Sequence, residues 1–438
     1  MYRKLLLQFM LIQLSFAQAF SLKSALEEAH RKALDLQIST KQLEMSSKLT
    51  KVERSRKSVN SRISLDGFHA KQADFFLARS VKEGRLAFPG TNLNDPGVNT
   101  HSQLAVDFQY PILDKSLKYS YEGAQARAET QTATHNNNSL QLEKTVVRIY
   151  LRILKIQASK KALKSSWKRV KEQENQHQLF VKGGSKLKTE LLEVQVRLRE
   201  IEQKLLMLDS DLEENWVDFL SILQLDFDSR FDFRLPELAL VQQESATLEQ
   251  VAFDSRSEVS KIKSQFREIE LEKKRVQSRR SLKIKALGSV SSNAADFDLL
   301  DGRESWMAGV VLSRELGSGG VISNELEVLE KKKELLELKL RREKLQIRQE
   351  LERALRKIKV SSRNRNLASL RLNAARENLH LREKQWKGGS IGSQDYLKVE
   401  EDYSQAREAM ENARIGEFEA RVSLVHALGE SIKEKIHE

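Results

Sequence analysis

Leucine, isoleucine and valine recur every three or four residues along most of this chain, and the pattern is written twice. Leu191, Val194, Leu198, Ile201, Leu205, Leu208 and Leu212 form an unbroken heptad run. Upstream, Leu142, Val146, Ile149, Ile153, Ile156, Leu163, Trp167 and Val170 keep the same register, with one polar interruption at Lys160. Between the two stands Val181-Lys182-Gly183-Gly184-Ser185, a tight reversal. The second copy carries Ile347, Leu351, Ala354, Ile358, Ala368, Leu372, Ala375 and Leu379, then Trp386-Lys387-Gly388-Gly389-Ser390, then Tyr396, Val399, Tyr403, Ala406, Met410 and Ala413. The two turn-and-return segments align without a gap, Leu192 on Leu397 and Leu223 on Leu428. The pattern predicts a long helix over 114–181 with a return helix over 186–226, and a long helix over 318–386 with a return helix over 391–428. At ~1.5 Å per residue each long helix is a rod of roughly 100 Å.

Ahead of each rod the period changes from helical to alternating. Ser21 to about Asn60 reads as helix, with Ser21 as cap and Leu22, Ala25, Leu26, Ala29 and Ala33 on one face. Ile63, Leu65 and Gly67 then alternate with polar residues, as do Leu104, Val106, Phe108 and Tyr110. A loop is predicted over Lys71–Asn99, and Pro111 is expected to end the second strand. In the second copy, Thr247 to about Arg280 reads as helix. Leu282, Ile284 and Ala286 open a strand, Ser291–Ser305 a loop, and Trp306–Ser313 another strand. The domain plan is therefore residues 1–19, a first repeat over 20–246 with a β-hairpin at 61–111 and a terminal linker, and a second over 247–438 with a hairpin at 281–314.

Composition narrows this further. The 438 residues are 31% charged and only 6% aromatic, with four prolines, a balance closer to coiled helices than to a compact enzyme. No cysteine is present, which removes disulfides and thiolate chemistry and suits an oxidising compartment. Arg3, Lys4, the apolar run Leu5–Phe16 and Ala17-Gln18-Ala19 form a signal peptide, with cleavage expected after Ala19; a retained anchor is the alternative. The net charge of +13 raises the question of nucleic acid, but the lysines alternate with glutamates along helices and no basic cluster is interleaved with aromatics. The eight histidines, among them His30, His135, His177 and His380, lack metal-ligand spacing and are expected at surface or packing positions. Gly317-Ser318-Gly319-Gly320 lacks a phosphate-loop lysine and reads as a turn. No catalytic constellation is recognisable, so neither an enzyme, a cofactor nor a metal is expected.

Four strands per chain, each with a short apolar face, suit tilted membrane strands. In a bilayer every backbone group must be paired, so the sheet must close. Four strands cannot enclose a pore, whereas three chains supply twelve. The other reading is two soluble hairpins on a periplasmic coiled coil.

The signal peptide, the tandem copies, the hairpin between helices and the two Gly-Gly tips together resemble the TolC-like outer-membrane efflux protein family, over essentially the whole mature chain. The resemblance implies a mainly α fold with a small β part: tandem helical hairpins and two β-hairpins per chain, assembled as a homotrimeric α-barrel with a shared twelve-stranded transmembrane β-barrel. It implies an exit duct for an efflux pump or type I secretion transporter of the inner membrane. The duct would sit in outer-membrane lipid of a Gram-negative bacterium with a long periplasmic extension, joined by a periplasmic adaptor protein. The alternative is a periplasmic coiled-coil scaffold or adaptor without a membrane barrel. By the resemblance, adaptor hairpins engage Lys182, Gly183, Gly184, Ser185, Lys387, Gly388, Gly389 and Ser390. The pore aperture falls on Asp395 and its counterpart Glu190, on Lys398 where the family often has an acid, on Glu193, and on Trp386 as a gate-holding aromatic. A gate-holding arginine is replaced here by Ile391. Ordinary solvated acids at helix starts are the other reading of Glu190 and Asp395. The family's Asn-Pro or Arg-Pro step is approximated only by Arg256-Ser257-Glu258-Val259.

Overall fold

The computed structural model describes residues 20–86, 92, 94–182, 188–238, 245–295 and 303–437. In chain order come helices α1 (Leu22–Lys32) and α2 (Leu34–Ser55), strand β1 (Asn60–Ala70), α3 (Ala73–Lys82), β2 (Asn99–Leu113), α4 (Lys115–Lys182) and α5 (Lys188–Leu223). A two-residue strand β3 (Glu237–Leu238) precedes α6 (Ser245–Ser255), α7 (Ser257–Gln277), a 3-10 turn (Ser278–Arg280), β4 (Lys283–Ala294), β5 (Arg303–Ser313), α8 (Val321–Lys387), α9 (Ser393–Ala427) and β6 (Ile436–His437). The fold is mainly α with a small antiparallel β part. The duplication is visible in the boundaries. Helices α4 and α8 end at Lys182 and Lys387, and α5 and α9 begin at Lys188 and Ser393, both displaced by 205 residues.

The chain divides into two compact units. The first comprises residues 20–41, 133–260 and 340–437. Its largest core packs Leu22, Leu26 and Ala29 of α1 against Val146, Tyr150 and Ile153 of α4, Trp216, Phe219 and Leu223 of α5, and Phe418, Val422 and Val425 of α9. Tyr150 stacks on Phe233 at 4.1 Å and donates its hydroxyl to the Arg234 carbonyl at 2.8 Å. Burial pushes that hydroxyl up to about 12. The two-residue strands β3 and β6 pair antiparallel beside this core, where the sequence pattern shows only a linker and a chain end. The heptad face of α4 is buried at Val146, Ile149, Ile153, Ile156 and Val170. Its polar interruption, Lys160, forms an ion pair with Asp209 of α5.

Each helix preceding a hairpin is broken, α1/α2 at Ala33 and α6/α7 at Arg256. The sequence predicts one continuous helix in each place, because no proline marks the break. At Arg256 the reason is tertiary. The side chain is almost wholly buried, donating to the His426 carbonyl at 3.0 Å and to Glu350 at 2.8 Å, with Glu258 at 3.3 Å.

The second unit, residues 42–132 and 261–339, holds a four-stranded antiparallel sheet in the order β1-β2-β4-β5. Its register separates two chemically different faces. One row runs Ile63, Val106, Val290, Trp306, with Tyr110, Ala286, Val310 and Ile284, Leu312 on the same side. The opposite side carries Arg62, Asp107, Ser289 and Asp66, Gln103, Asn293, Arg303. On that polar side Ser291 and Ser305 share a hydrogen bond at 2.8 Å, and Asn293 donates to Ser305 at 3.1 Å. The apolar side is left open, with Ile63 71% and Trp306 80% exposed. Strands β4 and β5 extend into both ends of the predicted loop at 291–305, to Ala294 and from Arg303, where Ser291 and Asn293 face the polar side. Strand β2 continues past Pro111 to Leu113, and the missing N–H coincides with a register shift between those two residues. The predicted loop at 71–99 contains helix α3.

Candidate functional site at the helix tips

The second tip is set by its glycines. Gly389 adopts φ +73, and its N–H meets the Trp386 carbonyl at 3.0 Å while Ser390 N–H meets the Gln385 carbonyl at 2.9 Å. This is the paired closure of a helix ending on a left-handed residue, a position that favours glycine. Space is not the constraint, since an added Cβ at Gly389 would meet nothing within 4 Å. Lys387, Gly388, Gly389 and Ser390 are all exposed, as is Lys182. Gly183, Gly184 and Ser185 lie outside the described residues, as does the segment 1–19.

Beneath the turn Trp386 is buried with Leu379 and Tyr396, and Ile391 packs against the group. The position where the resemblance expects an arginine therefore belongs to an apolar cluster. Trp386 stacks on Tyr396 at 5.2 Å and on His177 of α4 at 5.6 Å. Burial, with the carboxylates of Glu383 and Glu400 nearby, pushes the Tyr396 hydroxyl up to about 12.

His177 was not legible as a site residue. It is fully buried, and its Nδ1–H donates to the Gln173 carbonyl at 3.0 Å. Its Nε2 is hydrogen-bonded to the Ser393 hydroxyl, which donates to Glu190 Oε2 at 3.1 Å; the imidazole and that carboxylate are 3.5 Å apart. One histidine thus joins the start of α5, the end of α8 and the start of α9. Further along, Glu400 is fully buried and accepts from Ser166 at 2.8 Å and from Arg169 at 2.6 and 3.1 Å. The guanidinium of Arg169 lies over Tyr403. Val194, Leu198 and Ile201 of α5 close the same region around Val170 and Leu397. The partners Ser393 and Glu400 are not recognisable from spacing, because they reach His177, Glu190, Ser166 and Arg169 from the other hairpin, more than 200 residues away in sequence.

The other residues singled out lie on the surface. Asp395, Lys398 and Glu193 are exposed, and within the chain none of the three is in an ion pair or side-chain hydrogen bond among the described residues. Glu190, by contrast, is held in the His177–Ser393 network. Among the described residues no group of three metal-ligating side chains is arranged to hold an ion. No described helix is long and apolar enough to cross a membrane.

The chain thus combines two helical hairpins with an antiparallel sheet that has one apolar face. Solved structures share that fold. The outer membrane protein VceC of Vibrio cholerae is 15% identical, with 94% of this chain and 96% of that chain covered at a TM-score of 0.77. The CmeC outer membrane channel of Campylobacter jejuni is 14% identical, with coverages of 93% and 85% and a TM-score of 0.80. The MtrE outer membrane channel of Neisseria gonorrhoeae is 15% identical, with coverages of 95% and 91% and a TM-score of 0.75. At such identities the likeness establishes the fold. In sequence, residues 263–430 match the model of the outer membrane efflux protein family. No curated protein matches the chain at a significant level.

Proposed function

We propose that this chain is the outer-membrane exit duct of a tripartite efflux or secretion system, working as a homotrimer. The observation that carries the reading is the sheet. Its apolar face is exposed and β1 and β5 are open edges, a combination that water disfavours and that lipid accepts only if the edges are paired. Three copies supply twelve strands, enough to close a barrel with the apolar face in outer-membrane lipid and the polar face inward. The family match at 263–430 supports the same reading. The helical hairpins then extend into the periplasm. Their tips, Lys182 to Ser185 and Lys387 to Ser390, are the sites for a periplasmic adaptor that links the duct to an inner-membrane pump or secretion transporter. Glu190, Glu193, Asp395 and Lys398, beside Trp386, form the aperture.

The test is conduction. Purified protein added to planar bilayers should form ion-conducting channels, and Lys398→Glu should make them more cation-selective by replacing an exposed cation near the aperture with an anion. A preparation that never conducts, recovered as a soluble periplasmic protein, would instead be a coiled-coil scaffold.

A further inference from the structure

Helix α3 lies between β1 and β2 in sequence, and its contacts are all on one side of the sheet. The side-chain period of two puts Phe68, His101 and Gln103 on the polar face, with Asp66, Asp107 and Arg303. From α3, Phe75 packs edge-on against Phe68 at 5.2 Å and His101 at 6.2 Å. Arg79 donates to the Gln103 side chain at 2.7 Å and covers the rings of Phe68 and Phe75. Just past the helix, Glu83 is buried and takes a hydrogen bond from the equally buried His101, while its other oxygen accepts from Arg85 Nε at 2.7 Å. Arg303 of β5 lays its guanidinium against Gly84. The helix is thereby anchored to β1, β2 and β5 at once.

These contacts fall at one end of the sheet. The long helices leave from the ends of β1 and β2 at Asn60 and Leu113, whereas Ala70 pairs with Asn99 and Asn293 with Arg303 at the opposite end. We propose that α3 is an inward-folded plug at the outer mouth of the barrel, setting the size and charge of what leaves it. The inference rests on the duct reading above, in which the polar face lines the lumen. A helix with its side chains is about 10 Å across, so three related copies occupy a large part of a twelve-stranded lumen. Arg79, Lys82 and Arg85 would line that constriction with cations, offset by the buried Glu83 and by Asp74.

The absence of native cysteine makes a clean test possible. Asp107 lies on the polar face on the helix side of α3, so Asp107→Cys reports on passage beyond the plug. Intact cells carrying it would be treated from outside with a small charged maleimide or with a bulky polyethylene-glycol maleimide. The small reagent should label position 107 and the bulky one should not. Triple replacement of Arg79, Glu83 and His101 by alanine, or substitution of residues 73–84 by a short Gly-Ser linker, should admit the bulky reagent. The outer-membrane level of the protein would be measured alongside. Bulky labelling of the parent, or its exclusion unchanged in both α3 variants when these reach the membrane, overturns the plug. Labelling of lysed but not intact cells by even the small reagent overturns the duct reading and the plug with it.

Discussion

Glu143 shows how a buried carboxylate can stay charged in a helical core. Burial alone raises its pKa, but His426 at 3.0 Å, the Ile432 N–H at 2.6 Å and the Ser431 hydroxyl at 2.6 Å outweigh that and hold it below the usual 4.5. A folded-state value below the unfolded one contributes stability at pH above about 4.5, and that contribution is lost as pH falls through the folded value. Denaturation measured between about pH 6 and pH 3 should therefore show Glu143→Gln clearly less stable than the parent at the upper end, with the difference shrinking towards the lower. A constant difference would mean that the carboxylate's charge is not what the site uses. Residues of this kind are the least legible in the sequence. Gly389 and Trp386 are recognisable because a turn and a repeated position mark them. Nothing in the sequence marks Arg256, His177 and Glu400 as buried, since the partners that bury them come from other helices.

Helices were the most legible elements because the heptad spacing that packs them is written along the chain. A second spacing on α8 faces outward. Val360, Leu367 and Leu381 are exposed at intervals of seven and fourteen, with Ala374 between. In the trimer proposed above, this apolar stripe, on a helix that already buries Ile347, Leu351 and Ala368 on another face, is the surface for a neighbouring chain. Val360→Glu with Leu367→Glu should shift sedimentation from trimer to monomer while circular dichroism keeps its helical signal. An intact trimer would exclude this stripe from the interface. Strands were legible where apolar and polar residues alternate and illegible where both neighbours are polar, as at Ser291–Asn293. Helix α3 was hidden for a different reason: its anchors, Arg79 to Gln103 and Glu83 to His101, are polar and tertiary.

At the scale of the whole molecule, one chain leaves its surfaces unfinished. The sheet exposes Ile63, Leu65, Trp306, Val310 and Leu312, and among the described residues no further strand pairs with its edges, while the helical part packs its own core. The fold class and the duplication were readable from the sequence because both depend on repeated local pattern. Closure of the sheet in the proposed trimer depends on copies that a single sequence only implies by counting strands. The most direct test is the native mass of protein extracted by detergent from the outer-membrane fraction. The account predicts three copies of the mature chain, begun at Phe20, in one assembly. A monomer, or a protein found soluble in the periplasm, would contradict it.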